Sequence, residues 1–166
     1  MNLLVHFSIQ EGSVAERSIT DEITVDAPRA EVFRALTDAD ALEHWMATTV
    51  ESDARTGGRF RYVFEFEDAA QNNVQEGAYA AVADDRVELP WVFPFAEKQT
   101  AVAYRLVSED GATRVVFEHR GFGEGEPWNG AYERFTGGWR MFLEGLKRYV
   151  ETGDSSLPFG MKPGNA

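Results

Sequence analysis

The clearest pattern in the chain is the alternation over residues 59–66, where Phe60, Tyr62, Phe64 and Phe66 are interleaved with Arg59, Arg61, Val63 and Glu65. A period of two puts all four aromatics on one face of a β-strand. Ile19, Ile23 and Val25 share one parity within 17–25, which predicts an earlier strand. Further strands are expected at 74–83, 86–93, 98–107 and 112–119. Pro90 cannot donate to a ladder, so its strand is expected at an edge or a bulge. Glu109-Asp110-Gly111, between two strand patterns, marks a hairpin.

Two regions carry a helical period instead. Asp26-Ala27-Pro28 reads as a helix start, with Asp26 as cap, Pro28 in the first turn and Val32, Phe33 and Leu36 as the apolar stripe. Thr37-Asp38 interrupts it, and a second short helix follows with Leu42, Trp45 and Met46 on its apolar side. Over 128–151, Trp128, Tyr132, Phe135, Trp139, Phe142, Leu146 and Tyr149 recur at alternating steps of four and three, the face of one long helix. Gly137 and Gly138 in its middle predict a kink or a close approach.

Consecutive hairpins imply an antiparallel sheet whose aromatic face needs a cover, and the long helix has the matching face. The predicted class is α+β, a curved antiparallel sheet of about six to seven strands wrapped around a long C-terminal helix, with two short helices after the first strand. Residues 1–16 are expected to be a leader or extra strand, 17–152 the domain, and 153–166 a flexible Gly-, Pro- and Ser-rich tail.

Composition narrows the function. A chain of 166 residues with 43% hydrophobic and 13% aromatic residues is long and apolar enough for one well-packed domain. Absence of cysteine excludes disulfides, thiolate catalysis and cysteine-ligated metals. A net charge of −12 opposes binding to nucleic acid. No apolar run is long enough for a membrane span. The apolar stretch Leu3–Ile9 lacks the basic flank of a signal peptide, so a cytoplasmic location is expected.

Aromatics on both facing elements point to a cavity for a small, largely apolar ligand. The expected lining is Trp45, Tyr62, Phe64, Tyr79, Trp91, Tyr104, Phe117, His119, Phe135, Trp139 and Phe142. Of these, Tyr62, Tyr79, Tyr104 and Trp91 would supply polar handles. His119 shares parity with Val115 and Phe117, so it is expected inside, where a neutral imidazole could orient a ligand or serve as a general base. Glu65 and Glu118 have the opposite parity and are expected in solvent. His6, His44 and His119 share no ligand spacing, so no metal site is expected, and no motif requires a cofactor. Gly121, Gly123 and Gly125 fail the dinucleotide spacing and read as a flexible lid over the cavity mouth. Arg55, Arg59 and Arg61 read as a solvated hairpin end.

The string ITDEITVDAPRAEVFRALTDADALEHWM, GGRFRY at 57–62, GAY at 77–79, Trp91, TRVVFEH at 113–119 and GGW followed by Leu143, Leu146 and Tyr149 together resemble the SRPBCC (START-like, helix-grip) proteins. Within them, the chain is most similar to the group named after activators of the heat-shock-protein-90 ATPase. The resemblance covers 17–151. It implies a sheet gripping a C-terminal helix around an internal cavity, and relatives that include lipid and polyketide binders, cyclases or aromatases, hydrolase-like members and co-chaperone domains. The expected function is binding of a small hydrophobic molecule, in stress response or secondary metabolism. The alternatives are a cavity enzyme of polyketide cyclase, aromatase or hydrolase type with His119 as catalytic candidate, and a co-chaperone-like interaction module. The short stretch before the domain argues against the last, and the sequence supports no particular protein partner. The expected state is a monomer or weak dimer.

Overall fold

The computed structural model describes residues 16–164, so the leader or extra strand expected at 1–16 lies almost wholly outside them. The strand β1 (Arg17–Val25) is followed by two short helices, α1 (Arg29–Thr37) and α2 (Ala39–Trp45). Seven strands come next: β2 (Thr49–Ser52), β3 (Arg59–Phe64), β4 (Asn73–Ala78), β5 (Ala81–Ala83), β6 (Arg86–Trp91), β7 (Thr100–Glu109) and β8 (Ala112–Phe122). The long helix α3 (Trp128–Thr152) closes the domain, and a single 3-10 turn follows at Pro158–Gly160. The strands form an antiparallel five-stranded sheet in the order β1-β8-β7-β6-β5 and a three-stranded sheet in the order β2-β3-β4.

The two sheets act as one curved surface because the chain changes sheets at Tyr79-Ala80. Tyr79 N–H donates to Gly58 O on one side, and Ala80 N–H donates to Glu88 O on the other. The expected single strand over 74–83 is therefore two strands, because unbroken side-chain alternation conceals a change of backbone partner. Gln75 adds a second join. Its side-chain amide donates to Val92 O at 2.9 Å and accepts from Val92 N–H at 2.8 Å, imitating a ladder rung. Pro90 pairs with Ala101 of β7, and β5 reaches only as far as Glu88, so proline sits where β6 has no second partner. The hairpin between β7 and β8 turns on Asp110 and Gly111, both at positive φ, which only a short polar residue and glycine take readily.

Local chemistry at the helix starts differs from expectation. Pro28, not Asp26, occupies the cap of α1, and no side chain caps it. Asp26 instead donates its backbone N–H to the Glu151 carboxylate at 2.7 Å. Asp38 does cap α2, accepting from Ala41 N–H at 3.0 Å.

The long helix runs unbroken through Gly137-Gly138. It lies along β1, tied by Tyr132 Oη to Ser18 O, Arg140 to Asp21 and Lys147 to Thr24 O. Its Trp139, Leu143 and Leu146 are buried. Trp139 meets the rings of Trp91 and Phe117 at 5.2 and 4.7 Å, so the helix rests on the five-stranded sheet. The aromatic face of β3 stands across a gap from it. Glu65 is exposed as expected, and Glu118 is half-buried in an ion pair with Arg120. Arg55 and Arg61 pair with Asp53 and Glu76 at the surface, contacts of little energetic weight.

Two expected mobile segments are packed. The Gly121–Gly125 stretch is pinned: Gly121 and Phe122 complete β8, and the Arg17 guanidinium holds Gly123 O. A Cβ on Gly123 would stand 2.6 Å from Trp128 Nε1, and that indole is wedged by Phe93, Phe95 and Phe122. Gly123→Ala is therefore expected to destabilise the fold by about 1–3 kcal/mol, read by urea denaturation; an unchanged midpoint would show that Trp128 moves aside freely. The segment after α3 also differs from the expected free tail. Gly153 ends the helix at φ 80°, and the chain then folds back. Met161 is buried and Lys162 N–H donates to Glu65 O at 2.8 Å. Burial of Met161 and partial burial of Leu157 are the physical reason, since each places apolar surface of this segment against the core. Among the described residues, no helix is long and apolar enough to cross a membrane.

Candidate functional site

The gap between β3 and α3 is a cavity of about 700 Å³. Phe64 and Phe66 line it from β3 and its continuation, and Trp91 lines it from the end of β6. The helix contributes Phe135, Gly138, Trp139 and Phe142, and the segment after it contributes Phe159, Gly160 and Met161. Glu67, Asp68, Gln71, Asn73 and Arg134 supply its polar groups. The lining is thus aromatic with a few polar groups from one loop and one helix position, the make-up of a small-molecule site. Trp91 Nε1 is buried without an acceptor, and its ring is surrounded by those of Phe64, His119 and Trp139. Ring faces are weak acceptors, so this wall carries an unsatisfied donor.

Five of the eleven residues expected in the lining are there: Phe64, Trp91, Phe135, Trp139 and Phe142. The other six are packed elsewhere, and each has a physical reason. Trp45 is fully buried and donates its indole N–H to Ala35 O at 2.9 Å, tying the two short helices together. Phe117 lies between Tyr104 and Trp139 in the core. The tyrosines form a separate buried cluster. Tyr62 donates to Tyr79 Oη at 2.9 Å, Tyr79 donates to Ser52 Oγ at 2.7 Å, and Ser52 donates to Thr37 O at 2.7 Å. Burial drives the Tyr62 hydroxyl well above the usual phenol range and raises those of Tyr79 and Tyr104, so all three stay neutral. These hydroxyls do not line the cavity.

His119 is the most constrained of the six. Trp139 Nε1–H donates to its Nδ1 at 3.0 Å. Nε2 therefore carries the proton of the neutral ring and donates to Thr100 Oγ1 at 2.7 Å, and Thr100 donates in turn to Trp91 O at 2.7 Å. An indole only donates and a carbonyl only accepts, so both ends of the chain impose the same tautomer. Burial pushes the imidazole pKa down to about 3. His119 has no free nitrogen and does not reach the cavity, which removes the geometric basis for treating it as a general base or ligand contact.

Sequence reasoning missed the wall formed by Phe159, Gly160 and Met161. The available signal was the presence of three large apolar residues, Leu157, Phe159 and Met161, in a stretch otherwise rich in glycine, proline and serine. It also missed the polar loop 67–73, which carries no distinctive pattern. Among the described residues, no group of three or more His, Asp or Glu side chains is placed to hold a metal.

A sheet curled around one long helix, with an apolar cavity between them, defines a START-like helix-grip domain. The chain belongs to the family described as Activator of Hsp90 ATPase homolog 1-like protein, whose sequence model matches residues 26–151. Solved structures share the architecture. CalU16 from Micromonospora echinospora is 27% identical with a TM-score of 0.67, over 85% of this chain and 78% of that one. DynU16, from the dynemicin biosynthetic locus, is 24% identical with a TM-score of 0.68, over 83% of this chain and 48% of that one. The Aha1 dimer from Colwellia psychrerythraea is 20% identical with a TM-score of 0.69, over 82% of this chain and 98% of that one. No curated protein matches the chain.

Proposed function

We propose that this domain binds one small, largely apolar molecule in the cavity between β3 and α3. The observation that carries this reading is the cavity itself, about 700 Å³ walled by aromatics from four parts of the chain. That is the size range of sites for drug-sized ligands. The chemistry of the wall supports binding over turnover: its lining residues include no Ser, Thr, Cys, Lys or His, its two carboxylates, Glu67 and Asp68, are solvent-exposed, and the imidazole of His119 is engaged at both nitrogens. The domain acts in the cytoplasm, as a monomer or weak dimer, without nucleic acid.

The test is titration with 1-aminoanthracene, an uncharged fluorescent probe. Saturable binding of one probe per chain at about micromolar strength is expected. Affinity should hold in 1 M salt, because the attraction is apolar and unscreened. Absence of saturation, or loss of binding with salt, overturns the reading.

A further inference from the structure

We propose that residues 157–161 are a clamp on the ligand site, with Phe159 as the side chain that closes over the bound molecule; this rests on the cavity reading above. The segment is anchored on both sides. Upstream, Arg148 pairs with Asp154 at 3.1 Å and His44 bonds Ser155 Oγ at 2.9 Å. Downstream, Met161 is buried and Lys162 N–H is held by Glu65 O, at the end of the strand that forms the opposite wall. Between these anchors Phe159 lines the cavity, yet it remains 51% exposed.

Phe159 also has a left-handed backbone, φ 61° and ψ 25°, a conformation that bulky side chains rarely adopt. A half-exposed ring on a strained backbone gains little from contacts within the chain alone. Such strain is expected where binding supplies what folding does not. A ligand in the cavity would cover the exposed half of the ring, which stands edge-on to Phe142 at 5.8 Å. Gly138 of α3 leaves it room. A Cβ at Gly138 would already touch the Phe159 ring at 3.7 Å, and one at Gly137 would meet nothing within 4 Å. Only Gly138 of the pair lines the cavity, and its bare backbone lets the ring lie close against the helix.

Phe159→Gly tests this cleanly, because glycine takes the same backbone angles without strain and removes only the ring. Release of 1-aminoanthracene is expected to become at least about tenfold faster, with association changed by less than about threefold, since losses of contact appear mainly in the off-rate. The thermal midpoint should not fall. In the wild-type protein, saturation with the probe should slow exchange of the Lys162 amide by about tenfold or more, with the Val115 and Phe117 amides unaffected. A wild-type release rate in Phe159→Gly, a lowered midpoint, or an indifferent Lys162 amide overturns the clamp and leaves the cavity reading standing. Failure of the wild-type protein to bind the probe removes the cavity reading and the clamp together.

Discussion

Trp139→Ala is expected to lower the stability of the domain by about 5 kcal/mol. Truncating a buried indole costs about 3–5 kcal/mol through lost contacts and the void left behind. Trp139 is 2% exposed and packs on Trp91, Phe117 and Phe142, so the full packing loss applies. A second loss is specific to this site. The variant leaves His119 Nδ1 buried without its donor, at a cost of about 1–3 kcal/mol for an unmatched polar atom. Typical domains have only 5–15 kcal/mol in total, so the variant should be near the limit of folding. Trp139→Phe separates the two losses, since it keeps most of the packing and removes only the N–H. Urea denaturation of both variants checks this, and an alanine variant within 2 kcal/mol of wild type would contradict the assigned packing.

Acid should act on the same place from another direction. His119 has a folded pKa of about 3 against 6.5 for the solvated imidazole of an unfolded chain. Between these values the unfolded chain binds a proton that the folded chain refuses, so acidification favours unfolding. The stabilisation is complete above about pH 6.5 and is lost progressively as pH falls toward 3. From pH 7 to pH 5, before most carboxylates titrate, this one residue should remove about 2 kcal/mol. His119→Gln lacks the titration and retains His6 and His44, so its stability should be flatter by that amount over the same interval. Equal slopes for the two proteins in denaturant titrations at pH 7 and 5 would contradict a neutral, buried His119.

Much of this architecture was legible in residue order. Side-chain alternation at Phe60, Tyr62 and Phe64 identifies β3, Glu109-Asp110-Gly111 identifies the hairpin, and the four-three spacing from Trp128 to Tyr149 identifies α3 within one residue of its end. The site was legible only in part, because parity says that a side chain points inward and not into which compartment. Tyr62 and Phe64 lie on the same face of one strand, yet Tyr62 joins the hydroxyl cluster and Phe64 lines the cavity. His119 shows the same limit. Its inward direction follows from Val115 and Phe117, but its partners Thr100 and Trp139 belong to other elements, at separations that local pattern does not connect. The turn back after Gly153 was obscured by composition, since a Gly- and Pro-rich stretch reads as loose whether or not its few apolar residues find a groove.

The bond from Trp139 to His119 has a consequence for how the long helix is seated. A face built on alternating steps of four and three nearly repeats every seven residues, so shifting α3 by two turns would present a similar greasy stripe to the sheet. Such a slide would bring Tyr132 or Leu146 to the place of Trp139. Leucine has no proton to give, and a tyrosine hydroxyl sits at a different reach from an indole N–H. Either misplacement strands a buried imidazole nitrogen, whereas hydrophobic contact alone would tolerate both. The polar pair thus works as a locating peg in an otherwise slippery interface, selecting one seating of the helix from several that packing would accept.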